Sequence, residues 1–214
     1  MEKLFRGGEV LKLAKRQAID TKGYVFYIKD GYVCLCSRKR QARTLLLILK
    51  PGDVFPSMYP KPAYLSYMAN NILEYVSFPT AKLLKLPAKQ LESKILTSPE
   101  SVRLVIDYKE KINRLLLQRL INYSEKNIER KLNVRLLYLA DYLGQPKGNK
   151  VVIGPLLTYQ DIAMSIGTTR ESVNRLITIL QQEGILEVKN RIITIKSVAA
   201  LRKKIDWYLL RKSE

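Results

Sequence analysis

Residues Thr158 to Gly184, TYQDIAMSIGTTRESVNRLITILQQEG, carry two consecutive helical patterns separated by one glycine, and this narrows the folds open to the chain more than any other segment. Thr158 with Asp161 three residues on has the spacing of a capping box, and Ile162, Ala163 and Ile166 make one apolar face. Gly167 supplies the turn. Thr168 and Glu171 repeat the capping spacing, and Val173, Leu176, Ile177 and Leu180 then recur with the helical period until Gly184 stops the helix. The opposite face of this second helix carries Arg170, Glu171, Asn174, Arg175 and Thr178, all able to hydrogen-bond base edges or phosphates. The candidate DNA-contact set also takes in Thr158 and Gln160 at the start of the first helix and Thr169 and Ser172 at the start of the second. Glu171 has two readings, a base-reading carboxylate or a helix cap. Arg175 likewise reads as a base contact or a phosphate clamp.

The residues that follow, ILEV, a turn at Lys189-Asn190 and RIITIK, form a short hairpin pattern, with Asn190 suited to the left-handed conformation of a tight turn. A helix-turn-helix followed by a hairpin is a winged helix, whose second helix enters the major groove while the wing, here Lys189 and Asn190, lies on neighbouring phosphates. These segments resemble the Crp/Fnr family of bacterial transcription regulators, and the resemblance is carried by LTYQDIAMSIGTTRESVNRLITILQQEGIL and the wing. The cyclic-AMP receptor branch of that family has a recognition pattern R-E-x-x-x-R, matched by Arg170, Glu171 and Arg175, with Asn174 where that branch has Gly. The resemblance implies base reading by these three on a half-site of the TGTGA kind, a homodimer, double-stranded DNA as partner and contact with RNA polymerase.

The chain has 214 residues, room for two modest domains with a core each. No apolar run approaches the ~20 residues that span a bilayer, and the first residues, MEKLFRGGEVLKLAKRQ, lack the apolar core of a signal peptide, so a cytoplasmic protein is expected. Net charge is +19, which favours a polyanionic partner. Residues 150–214 hold 11 Lys+Arg against 6 Asp+Glu, so most of the excess lies in the N-terminal part, as a solvated surface, as a path for wrapped DNA or around an anionic effector. Histidine is absent altogether, which removes the usual general base, haem ligand and zinc ligand. Cys34 and Cys36 leave one face of a strand and are too few for an iron–sulfur cluster. With no nucleophile motif or P-loop either, no enzyme, metal or cofactor is expected.

The N-terminal half reads as short strands between turn signals. Two strands flank Lys29-Asp30-Gly31, and a basic loop (Arg38, Lys39, Arg40, Arg43), a β-rich run and the corner Pro51-Gly52-Asp53 follow. From about Glu9 to Leu91 this resembles the β-roll of a cyclic-nucleotide-binding domain. Nucleotide-binding relatives follow the PGDVF-like corner with a Gly-Glu pair for the ribose and an Arg for the cyclic phosphate. Here the segment is PSMYPKPAYLSYMANNILEYVSF, with Glu74 its only acid and neither Gly nor Arg. Pro56, Pro60 and Pro62 remove backbone donors that a phosphate needs. Cyclic-nucleotide binding is therefore not expected. Tyr59, Tyr64, Tyr67, Asn70 and Asn71 either line a pocket for another ligand or pack a ligand-free roll.

From Ser101 to about Ile128 there is no Pro or Gly, and Val105, Ile112, Leu116 and Tyr123 fall at near-heptad spacing, with Leu115 and Leu120 beside them. The set Val105, Ile112, Leu116, Leu120 and Tyr123 is the expected dimer seam, and packing on the chain's own roll is the alternative. A second helix near Ile128 to Leu143 leads to the loop GQPKGNK, and Val198 to Leu210 reads as a terminal helix bearing Trp207. The expected class is α+β: a β-roll over 1–98, a dimerisation helix over 99–128 and a winged-helix domain over 129–214. A ligand-independent architectural DNA-binding protein is the rival reading.

Overall fold

The computed structural model describes residues 1–39, 42–56, 72–154 and 157–210. Arg40 and the Tyr59, Pro60, Pro62, Tyr64, Tyr67, Asn70 and Asn71 group lie outside the described residues, as do the side chains of Arg38, Lys39, Arg43 and Trp207. The chain divides into two compact units, Met1–Leu117 and Gln118–Glu214.

The first unit is an antiparallel sheet whose main order is β1 (Glu9–Leu13), β6 (Leu73–Pro87), β3 (Tyr24–Lys39), β4 (Ala42–Leu49). Two short strands complete it, β2 (Ala18–Ile19) on β6 and β5 (Val54–Phe55) on β3. β3 is a single strand of 16 residues, so the expected turn at Lys29-Asp30-Gly31 is instead a pair of register shifts against β6. The reason is local. Gly31 sits at φ +76°, where an added Cβ would lie 2.1 Å from the Thr80 carbonyl oxygen, so the chain bends and stays paired where only glycine fits. The expected corner at Pro51-Gly52-Asp53 is present, with Gly52 at φ +95° and the buried Asp53 carboxylate accepting from the Lys50 amide at 2.9 Å.

Alternation along the strands turns Phe26, Ile28, Val33, Phe55 and Leu83 into one core, where Phe26 stacks on Phe55 at 5.2 Å and Phe55 on Tyr75 at 4.8 Å. Aromatic pairs of this geometry add about 0.5–1.5 kcal/mol each beyond the area they bury. A second core holds Phe5, Val25, Tyr27, Leu86, Leu91 and Val105. After the short helix α1 (Ala88–Ile95), the long helix α2 (Pro99–Ser124) begins in the first unit and ends in the second. Tyr108 fastens it to the sheet, its hydroxyl accepting from the Val54 amide at 2.9 Å and donating to the Val54 carbonyl at 2.7 Å. One turn on, Lys111 pairs with Asp53 at 2.5 Å.

The second unit contains α3 (Ile128–Leu143), opened by Asn127, whose side chain accepts from the Arg130 amide. It continues through β7 (Gln145–Lys147), β8 (Lys150–Ile153), α4 (Tyr159–Ile166), α5 (Arg170–Gln182), β9 (Leu186–Lys189), β10 (Ile192–Ile195) and α6 (Val198–Leu210). The GQPKGNK segment, expected as a loop, supplies β7 and its turn, so the wing sheet has four strands in the order β7-β8-β10-β9. Leu132, Leu136, Ile162, Ile166, Val173, Ile177, Ile193 and Leu201 are buried in this unit. α6 packs on α3, and Lys204 reaches Glu183 at 2.6 Å and Glu129 at 3.7 Å. The terminal helix thus buttresses the back of the unit. Among the described residues no helix is long and apolar enough to cross a membrane, and no three His, Cys, Asp or Glu side chains gather to hold a metal ion.

Candidate nucleic-acid interface

α4 and α5 meet around Gly167, which adopts the left-handed conformation at φ +70° that ends α4. The expected capping box is formed: the Thr158 hydroxyl accepts from the Asp161 amide at 3.2 Å, and an Asp161 oxygen accepts from the Thr158 amide at 2.9 Å. The Thr158 hydroxyl also donates to Asp161 at 2.6 Å, so its proton is already engaged in the cap. Gln160, one position into α4, is exposed.

At α5 the cap lies one residue later than expected. Thr169, not Thr168, is the N-cap, its hydroxyl accepting from the Ser172 amide at 3.2 Å and donating to the Ser172 hydroxyl at 3.1 Å. Two threonines stand in a row, and the left-handed Gly167 places the second of them in the extended conformation a cap requires. This releases Glu171 from the capping role. Its carboxylate lies in the first turn, where the helix dipole favours a negative charge.

Val173, Leu176, Ile177 and Leu180 anchor one face of α5 in the core, and Arg170, Glu171, Asn174, Arg175 and Thr178 lie exposed on the other. Glu171 and Arg175 are four residues apart, as are Arg170, Asn174 and Thr178, so the five form two adjacent rows on one surface. No described side chain engages Arg170, Glu171 or Arg175, which leaves two guanidinium forks and a carboxylate open to solvent. Thr178 differs: its hydroxyl donates to the Asn174 carbonyl at 3.0 Å.

The wing tip is also displaced by one residue from the sequence reading. Lys189 pairs with Ile192, so the two turn residues are Asn190 and Arg191, at φ +50° and +64°. A two-residue hairpin of this kind needs positive φ at both positions, which Asn tolerates and Arg adopts rarely. Arg191 is therefore an exposed cation at the tip that periodicity placed at the start of a strand. Lys189 is held at 2.6 Å by Glu187, which Lys196 also contacts at 3.2 Å. Lys189 and then Lys196 hold the Glu187 carboxyl below its ordinary range, and Glu187 in turn raises Lys189.

The expected dimer seam mixes two rows of α2. Val105, Tyr108, Ile112 and Leu115 face inward: Val105 lies in the core beside Phe5 and Tyr27, and Ile112 packs against the Phe26–Phe55 core. Val105 and Ile112 thus belong to the roll, while Leu116 and Leu120 are exposed. Tyr123 is half-buried beneath the Arg119 guanidinium, 4.2 Å from its ring centre. The exposed apolar positions are Val102, Leu104, Ile106, Leu116, Leu117, Leu120 and Ile121. Of these, Val102, Ile106, Leu116 and Leu120 fall on a single row of alternating four- and three-residue steps that also takes in Lys109 and Asn113.

Within the first unit, Leu35, Leu47, Leu49, Phe55, Tyr75 and Ile112 enclose much of an apolar cavity of about 190 Å³, with Lys109 the one charged side chain among the described residues of its wall. Burial pushes the Tyr75 phenol up to about 12, and burial followed by the nearby Asp53 charge raises Tyr108 as well.

A Crp-like helix-turn-helix domain model matches residues 111–204. Over 131 residues the chain is 26% identical to a global nitrogen regulator from Nostoc sp. (strain PCC 7120), a match covering 60% of this chain and 58% of that protein. The chain thus spans somewhat more than half the length of that curated relative. In fold it is similar to a CooA variant from Carboxydothermus hydrogenoformans, at a TM-score of 0.77 and 19% identity, covering 95% of this chain and 90% of that one. A CRP-family transcriptional regulator from Thermus thermophilus is similar at a TM-score of 0.71 and 17% identity, covering 92% and 96%. The matched Crp-like helix-turn-helix domain spans the exposed face of α5, its cap and the wing, and the chain is similar over that region to Crp-type regulators.

Proposed function

We propose that this chain is a homodimeric, sequence-specific DNA-binding transcription regulator that reads a palindrome through α5 and is not gated by a cyclic nucleotide. The observation that carries the reading is the exposed, unengaged set Arg170, Glu171 and Arg175 on a helix whose opposite face is locked in the core. Arginine forks suit the two acceptors of guanine in the major groove, a carboxylate accepts from the cytosine amino group, and the Asn174 amide suits adenine. Arg191 and Asn190 at the wing tip supply phosphate contacts, and Lys189 joins them by exchanging Glu187 for a phosphate. The row Val102, Ile106, Leu116 and Leu120 gives two copies a common seam, with Asn113 as the polar position that fixes its register. Pairing sets two recognition helices about 34 Å apart, one turn of DNA, and the bound dimer then presents surfaces to RNA polymerase.

Selection of bound fragments from random-sequence duplex DNA tests the reading. The expected result is a two-fold symmetric site bound at least about 10³-fold more tightly than unrelated duplex. A ratio near one would overturn it in favour of an architectural protein that follows charge alone.

A further inference from the structure

The inward row of α2 ends, in the second unit, with two buried polar residues, Arg119 and Asn122, exposed by only 7% and 4%. An Arg119 Nη2 donates to the carbonyl of Ser165, in the last turn of α4, and Nη1 donates to the Asn122 side-chain oxygen at 3.3 Å. The guanidinium plane is backed by the Tyr123 ring, and Asn122 in turn donates to the Lys131 carbonyl of α3 at 3.0 Å. Arg119 and Asn122 together thus tie α2 to α4 and to α3.

We propose that Arg119 is a positioning residue for DNA reading, clamping the carboxyl end of α4 so that the turn into α5 keeps one geometry. The last carbonyls of any helix lack intrahelical donors, and this helix meets the need from two sources. The Ala163 carbonyl takes the amides of Gly167 and Thr168, the latter at 3.1 Å. The Ser165 carbonyl takes Arg119, and because Ser165 is fully buried, water cannot replace that donor. A cation there also faces the negative end of the helix dipole. Only two residues separate Ser165 from Thr168, and Thr169 begins α5, so a loose Ser165 is a loose starting point for Arg170, Glu171 and Arg175. Lysine is a poor substitute, since its ammonium has neither the two separate nitrogens that reach Ser165 and Asn122 nor a flat face to lie on the Tyr123 ring. The proposal rests on the reading of α5 as the base-reading helix.

The test compares the full chain with its Arg119→Met and Arg119→Lys variants. Each is titrated on the selected duplex and on an unrelated duplex across a salt series, with amide hydrogen exchange followed at Gly167 and Thr168. The expected result is a loss of tenfold or more on the selected duplex, little change on the unrelated one, an unchanged salt slope, and at least tenfold faster exchange at the two turn amides. Arg119→Met keeps the bulk of the side chain, and if it does not fold, Arg119→Lys and Asn122→Ala carry the same comparison, the latter with a smaller loss. Equal losses on both duplexes, no loss, or a salt slope reduced by about 0.9 would overturn the proposal, the last because it marks a direct phosphate contact. If the unaltered chain does not distinguish the duplexes, the reading of α5 fails, and the clamp is then judged on exchange at Gly167 and Thr168 alone.

Discussion

Arg175 lies one turn beyond Glu171 on the exposed face of α5, with its backbone fixed by the buried side chains of Val173 and Leu176. Its fork therefore starts from a defined place and meets nothing in the free protein. If it reads guanine, Arg175→Ala should lose about 1–3 kcal/mol on the selected site and relax the preference at one base pair, as titration against single-base variants would register. Equal loss on every duplex would instead make it a phosphate contact. Glu171 is free to take part because Thr169 and Ser172 cap the helix without it. The hydroxyl protons of Thr158 and Thr178 are already donated within the chain.

α2 is an element with two apolar stripes, and the difference between them decides which substitutions report on dimerisation. Ile112 packs into the roll, so replacing it disturbs the first unit whether or not a second copy is present. Ile106 and Leu120 are 59% and 63% exposed and share the outer row. Ile106→Lys with Leu120→Lys should place like charges across the seam while sparing the roll core, yielding monomers with weak half-site binding. Sedimentation of this double variant checks the prediction, and a surviving dimer would move the seam elsewhere. Lys109 already occupies one position of that row, and burial depresses its pKa, which fits a partly covered edge beside the cavity.

For the whole molecule, the +19 net charge and the apolar cavity make opposite demands on an effector. The charge attracts anions to the surface, whereas the described cavity wall is almost wholly aliphatic and aromatic. A cyclic phosphate seated there would lack the Arg and the glycine-rich turn that compensate its charge, at a cost of several kcal/mol. Cyclic AMP and cyclic GMP at millimolar concentration should thus give no saturable heat in calorimetry, and DNA binding should be measurable without them. A micromolar dissociation constant for either would overturn this expectation.

Local chemistry carried much of this into the sequence. The Thr158–Asp161 capping box, Gly167, the buried stripe of α5 and the corner at Pro51-Gly52-Asp53 each depend on residues within four positions of one another, so spacing alone made them legible. Tertiary structure decided what neighbouring residues leave degenerate. Two adjacent threonines offered two caps, and the geometry after Gly167 selected the second. Lys29-Asp30-Gly31 has the composition of a turn, but pairing with β6 on one side keeps it in a strand and turns the glycine into a bulge. Two apolar stripes lie side by side on α2 at the same period, and only the position of the sheet shows that Val105 and Ile112 face it while Leu120 does not. Arg119 gave no signal at all, because its partner on α4 is 46 residues away and a buried cation in a charged helix looks like any other surface arginine until the chain folds around it.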